Sequence, residues 1–416
     1  MERQENTGEP LSRRRFISVC AALAGTVAAG SLGSWHLRQE VASGVSASVA
    51  YPSAGQLSNF AFMRDAFSAR KAKGEHPYLV FGSSELNPRH GGWPHPARLL
   101  SGGAYDVDTM MVGRAGATSI WHAVEMGALA TTLGVRRIAF FVSMQWFMCY
   151  RDPRKSLPAL FSEGAYRAFS DSHEFSDELK RRVTKRMAVY GVDCRGGGSP
   201  LGALVSNVDD AAKAYTDGLR VDLKLIGKAK LADEQPPELV RGDADHPLLA
   251  DGSPDWDAIL ARANKLAAER SAGNADGYDD AWYRAKYARW IQGAQEQWSV
   301  PASGAYFSKR ELEEFKMALQ VCQEAGVDPL VVLQPAKGIA YDQTIYTREV
   351  RSSYYELIRS TCAEHGVEVA DFSGREYDPT FFFDYSHPSA EGAARYSRAL
   401  YTFFKNGHPQ IGRASC

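Results

Sequence analysis

Cysteine is scarce and scattered. The six residues (Cys20, Cys149, Cys194, Cys322, Cys362, Cys416) make no C-x-x-C, and no His pair stands at ligand spacing. This argues against a disulfide framework or a zinc site and leaves room only for an isolated disulfide. An excess of one charge is also missing: Lys and Arg total 48 against 49 Asp and Glu, a formal net charge of −1. No long basic run occurs outside the extreme N-terminus, so nucleic acid is not an expected partner. There is no internal repeat. There is also no G-x-S-x-G, which removes the signature of the α/β-hydrolase elbow. No metal and no cofactor is expected. What is abundant is apolar residues, 44% of 416, enough for one large domain or two ordinary ones.

The N-terminus does not read as globular. Arg13, Arg14 and Arg15 precede a charge-free stretch from Phe16 to Trp35. At about 1.5 Å per residue that stretch just reaches across a hydrocarbon core of roughly 30 Å. Positive charge before it keeps that end in the cytoplasm and sends the rest of the chain outside. Ser12-Arg13-Arg14-Arg15-Phe16 is similar to a twin-arginine export signal, so a single-pass membrane anchor and a cleaved signal are both open. Residues 1–40 are therefore set apart as stub and anchor, 41–76 as a Ser/Ala-rich linker and lead-in, and 77–416 as the folded domain.

Within that domain, "PYLVFG", "DTMMVG", "RIAFFVS", "PLVVLQP" and "VEVADF" are short apolar runs bounded by turn residues, the pattern of buried strands. Helical patterns separate them, such as the stretch after Ser308-Lys309-Arg310-Glu311, which reads as a capping box. Continuous apolar strands alternating with helices predict a three-layer α/β/α sandwich with a mainly parallel sheet. Strand signals vanish between about 166 and 305, which predicts a helical insertion that shapes or covers the site.

In parallel sheets ligands bind beyond the carboxyl ends of the strands. "LVFGSSELN" places Gly82-Ser83-Ser84-Glu85 at such an end. The block reads either as a helix cap or as the setting of a nucleophilic serine. Near the other end of the chain, Asp384 and His387 stand three residues apart before a helix. Pro388 suits the first helical position, which would make His387 the cap. Asp384 is read either as an acceptor of backbone hydrogen bonds or as the carboxylate that orients His387 against a serine. An acyl-transfer site also needs donors for an oxyanion. Gly113, ending the second strand run, offers a close backbone N–H or an ordinary turn. Gln145, after the third, offers a side-chain amide or is simply a buried glutamine.

A serine after the first strand, a glycine after the second, an amide after the third and a late D-x-x-H resemble the SGNH hydrolase plan. The wording is similar to one branch in particular, the D-alanyl-lipoteichoic acid biosynthesis protein family, DltD. The resemblance rests on F-G-S-S-E-L (Phe81 to Leu86), S-x-Q-W-F (Ser143 to Phe147), a Q-P followed by G and Y-D (Gln334, Pro335, Gly338, Tyr341, Asp342), and the terminal D-x-x-H. Met144, Lys337 and Pro388 depart from the family's usual residues. The resemblance implies Ser84 as nucleophile with Ser83 in reserve, Asp384 and His387 completing a triad, and Gly113 and Gln145 as oxyanion donors. It further implies D-alanyl transfer to a teichoic acid polymer at the outer membrane face. A D-alanyl carrier protein and a membrane O-acyltransferase are the implied partners. A thioesterase or acylesterase, and a non-enzymatic docking protein tethered to the membrane, are the alternatives.

Overall fold

All five apolar runs form strands: β1 (Pro77–Gly82), β2 (Asp108–Gly113), β3 (Arg137–Val142), β4 (Asp328–Leu333) and β5 (Glu368–Asp371). They pair in parallel in the order β2-β1-β3-β4-β5. The computed structural model describes residues 50–149, 152–192, 246–299 and 304–411, with Leu32, Cys194, Val208 and Ala212. The apolar N-terminal segment and the glycine-rich turn at 195–200 lie outside the described residues. Among the described residues no helix is long and apolar enough to cross a membrane.

The strands are apolar throughout because both faces are covered. Leu79, Phe81, Ile138, Phe140 and Val331 point into one core, while Val80, Ala139, Phe141 and Val332 point into the other. Apart from the helical run 280–297, the longer helices are, in chain order, α1 (Phe60–Ala72), α2 (Ser119–Leu133), α3 (Glu163–Asp171), α4 (Asp177–Val189), α5 (Trp256–Arg270), α6 (Lys309–Glu324), α7 (Arg348–Glu364) and α8 (Ala390–Asn406). The first core takes Phe62, Trp121, Phe315 and Tyr354 from α1, α2, α6 and α7. The second takes Ile259, Tyr396, Leu400 and Phe403 from α5 and α8. Each such side chain, fully buried, contributes about 1.5–3 kcal/mol. The result is the expected α/β/α sandwich.

Between β3 and β4 the named elements are all helical. They do not form one cover. The α3 and α4 helices pack on α2, and α5 packs on α8, so the stretch splits between the two faces of the sheet. Its last part, the helical run 280–297, contains a π-helical turn at Tyr283–Tyr287.

Two local expectations are corrected. Ser308 Oγ does accept from the Glu311 N–H, but the Glu311 carboxylate does not reach back to close a capping box. It accepts instead from the Ser119 N–H at 2.9 Å, at the start of α2. Pro388 is not the first residue of α8. Ser389 is the cap, its Oγ accepting from the Glu391 and Gly392 N–H groups, and His387 lies in the preceding loop.

Candidate active site

The strand order sets β2, β1 and β3 side by side. Their carboxyl ends therefore bring Gly113, the Gly82-Ser83-Ser84 block and the Ser143–Gln145 turn to one edge of the sheet. Gly82 pairs directly with Gly113. Glycine is required at Gly113, and a side chain at Gly82 would displace the Glu85 carboxylate. A Cβ on Gly113, whose φ is +154°, would lie 1.8 Å from the Gly82 carbonyl oxygen, and a Cβ on Gly82 would lie 2.4 Å from Glu85 Oε1.

Beyond β1 the chain makes one 3-10 turn, Ser84–Leu86, and Ser83 forms no side-chain cap on it. The buried Glu85 folds back so that its Oε1 accepts from the Ser83 N–H at 2.5 Å. The two serines then diverge. Ser83 is buried and its hydroxyl donates to the Arg114 carbonyl at 3.3 Å. Ser84 is half-buried, and its Oγ lies 2.8 Å from His387 Nε2.

Asp384 uses its two carboxylate oxygens on different partners. Oδ1 accepts from the backbone N–H of Ser386 (2.9 Å) and of His387 (2.8 Å). Oδ2 lies 2.8 Å from His387 Nδ1. The loop is pinned by the Phe383 N–H donating to the His387 carbonyl at 2.8 Å and by a bridge between Phe382 and Pro388.

Burial alone would raise the Asp384 carboxyl, but the His387 charge and hydrogen bonds outweigh it, and its pKa falls below the ordinary value. Burial would lower the imidazole of His387. The Asp384 carboxylate, with a smaller contribution from Glu85, overcomes that and raises it. An ionised carboxylate can only accept, so Nδ1 carries the proton towards Asp384 and the neutral ring offers Nε2 as acceptor to the Ser84 hydroxyl.

Three further histidines support this edge, and no sequence spacing marks them. His122 Nε2 lies 2.9 Å from the Gly82 carbonyl and its Nδ1 lies 2.8 Å from the Thr118 carbonyl. His95 Nε2 lies 2.9 Å from the Glu85 carbonyl, while its Nδ1 accepts from the Ala97 N–H. Ser84 is thus bracketed by two carbonyls that face buried imidazoles. Burial holds both rings neutral, pushing each down to about 4. His90 lies against His387 with ring centroids 4.4 Å apart. Burial, and then the charge of His387, push it down to about 3.

Ser143 Oγ accepts from the Gln145 N–H, and the Gln145 side-chain amide donates to the Tyr341 hydroxyl at 2.9 Å. Behind it, Asp342 pairs with the fully buried Arg351 at 2.8 Å, and Arg351 pairs with Glu376 at 2.6 Å. A Cβ on Gly338 would sit 2.4 Å from the Tyr377 ring and would push that ring aside. The Y-D stretch after β4 is thus scaffold for the loops around the site. Lys337 is buried, donates from Nζ to the Gly277 carbonyl at 2.9 Å and lies 4.5 Å from the Tyr278 ring centre. Burial brings its pKa down to about 8.

An open cleft of about 750 Å³ borders Asp384 and His387, within the range of ligand sites. Its lining takes Arg89 and His90 from the segment after β1, and Lys286, Arg289 and Trp290 from the 280–297 run, with Trp290 stacked on Tyr385 at 4.3 Å. The Asp279 N–H donates to the Phe383 carbonyl at 2.8 Å and ties this wall to the His387 loop. Among the described residues no group of His, Cys, Asp or Glu is placed to hold a metal ion.

The class is therefore a three-layer α/β/α sandwich with a parallel sheet, with Ser84, His387 and Asp384 in a hydrogen-bonded row at its strand ends. The family model described as DltD protein matches residues 54–405, and the chain belongs to the DltD family. It is 26% identical over 338 residues to Protein DltD of Bacillus subtilis (strain 168), covering 79% of this chain and 82% of that protein. It is 23% identical over 343 residues to Protein DltD of Staphylococcus aureus (strain NCTC 8325 / PS 47), covering 80% and 82%.

Proposed function

We propose that this protein transfers D-alanine to a teichoic acid polymer at the outer face of the membrane, through an ester on Ser84. The reading is carried by the two 2.8 Å contacts that join Ser84, His387 and Asp384, and membership of the DltD family supports it. Ser84 Oγ attacks the D-alanyl carbonyl while His387 Nε2 takes its proton. The tetrahedral adduct collapses, and the departing thiol or alcohol receives that proton from His387. A polyol hydroxyl then enters, gives its proton to His387 and attacks the D-alanyl ester, and Ser84 Oγ leaves with the proton restored. The covalent ester splits one transfer into two easier steps. The Gly113 N–H and the Gln145 amide are the proposed donors to the oxyanion, with Ser83 as support for the turn. Gln145 does so from a position fixed by Tyr341.

The apolar N-terminal stretch would tether the domain outside, either as an anchor or before cleavage as a signal. A D-alanyl carrier protein and a membrane O-acyltransferase would supply the acyl group. In cells the test is Ser84→Ala. Wall D-alanine ester should be lost while the melting temperature of the purified protein stays unchanged. Normal ester with a lowered melt would reduce Ser84 to a structural residue. Ester lost but restored by a membrane-tethered fragment lacking Ser84 would favour a docking protein instead.

The cleft is open to solvent, which favours one second reading, a thioesterase or acylesterase in which water replaces the polyol. Rapid release of free D-alanine from a D-alanyl thioester, undiminished by added polymer, would establish it.

A further inference from the structure

The cleft beside His387 carries more positive charge than the serine chemistry uses. Arg89, Lys286 and Arg289 line it and are exposed, and no ion pair engages them among the described residues. The two carboxylates of the cleft are already committed, Asp279 to Arg270 at 2.8 Å and Asp384 to His387. Lys286 and Arg289 are three residues apart on one helical run, with Trp282 and Trp290 rather than acids four residues from Lys286.

The run is also locally deformed. Tyr283–Tyr287 is a π-helical turn, and Tyr283 and Tyr287 stack at 4.7 Å beside Tyr278. A π-turn adds a residue to the helix and re-aims the side chains beyond it, and such turns concentrate at functional sites. Here it accompanies the presentation of Lys286 and Arg289 to the same cleft that Arg89 lines. Lys286 is close enough to act electrostatically on His387.

We infer that Arg89, Lys286 and Arg289 form a subsite for the phosphodiester groups of a polyol-phosphate chain, holding one phosphate at the cleft mouth while a neighbouring hydroxyl lies against His387. The inference rests on the proposed transfer reaction and adds to it the groups that recognise the acceptor. Arginine matches a phosphate with a planar fork, and lysine adds a point charge. An open cleft suits a chain that continues beyond both ends of the site. Each aminoacyl ester places an ammonium beside a phosphate, so modified stretches bind the subsite more weakly than bare ones, and successive esters are spaced along the polymer.

The test uses the full chain carrying Ser84→Ala, so that binding occurs without turnover, and titrates it with ester-free poly(glycerol phosphate). Neutral dextran and phosphatidylglycerol vesicles serve as the other probes. Binding should weaken as salt rises. The R89Q/K286Q/R289Q variant should lose roughly three- to a hundredfold in affinity, since each exposed ion pair accounts for roughly 1.4- to 5-fold. Its melting temperature should match the parent, and R89K/R289K should bind within about threefold of it. Undiminished polymer binding by the triple variant would overturn the inference, as would equal binding of dextran. Tighter binding of the vesicles through the same three residues would assign the site to a lipid headgroup and overturn it too. Mass spectrometry of the wild-type chain with a small D-alanyl thioester separates the two proposals. Absence of an adduct on Ser84 would sink the transfer reading, while loss of polymer binding in the triple variant would still uphold the subsite.

Discussion

Asp384 meets His387 twice. One carboxylate oxygen accepts from the His387 backbone N–H and the other faces its ring Nδ1, both at 2.8 Å. A single side chain therefore fixes the position of the residue and the tautomer of its ring. That is why three-residue spacing suffices in a loop that no helix yet supports.

Asp384→Asn should leave the loop in place, because the amide oxygen can still accept from the backbone. The amide nitrogen would then face Nδ1 and favour the opposite tautomer, turning an N–H towards Ser84. In the proposed reaction, transfer of D-alanine should fall by about 10⁴, the scale of losing the orienting carboxylate in a serine triad. Single-turnover acylation of Ser84 measures it. A loss under tenfold would remove Asp384 from the mechanism.

In the proposed mechanism the pH dependence of acylation is set by the same pair. His387 must be neutral to accept the Ser84 proton, and its pKa in the folded protein is raised. Acylation of Ser84 should therefore be low at acid pH and rise through an apparent pKa above the ordinary imidazole value of about 6.5. In Asp384→Asn that midpoint should move to lower pH. The linked stability has the opposite sense for the ring: a raised pKa favours the folded state at low pH and that contribution is lost as pH rises through it. Activity and this part of stability should thus change in opposite directions across one window. An activity midpoint at or below the ordinary value would contradict the assignment.

The strands are legible in the sequence because a strand buried on both faces leaves an unbroken apolar run, and all five begin and end within two residues of those runs. The D-x-x-H and the serine pair are legible as chemistry on turns. Which serine faces His387 is not, since that depends on Glu85 drawing in the Ser83 N–H and on Arg114 accepting the Ser83 hydroxyl. His95 and His122 leave no pattern because their partners are backbone carbonyls, which have no sequence. The Glu311 carboxylate misleads for a related reason. A local capping box and a tertiary bond to Ser119 look identical in sequence, and the tertiary partner wins.

Gly113 should tolerate no side chain. A Cβ would sit 1.8 Å from the Gly82 carbonyl oxygen, at a positive φ that L-residues rarely adopt. Neither atom can yield without separating β1 from β2 next to Ser84. Gly113→Ala should cost several kcal/mol, above the roughly 1–3 kcal/mol of backbone strain alone. A chemical denaturation midpoint near wild type would mean that this edge of the sheet is pliant.

Arg351 is fully buried between Glu376 (2.6 Å) and Asp342 (2.8 Å), and it also donates to the Tyr346 carbonyl. These contacts tie α7 to the loops after β4 and β5, and Asp342 adjoins the Tyr341 that holds Gln145. Arg351→Met keeps much of the volume but strands the Glu376 carboxylate in the interior beside Tyr355. Breaking one side of a buried pair costs about 3–5 kcal/mol. Replacing Glu376 as well, by Gln, removes the unpaired charge and should recover a substantial part of the loss. Urea denaturation of the two single variants and the double variant measures the coupling. The single Arg351→Met variant should also lose transfer activity out of proportion to the fraction unfolded, because Tyr341 then shifts under Gln145. If activity simply tracks the folded fraction, the network supports the fold but does not reach the site.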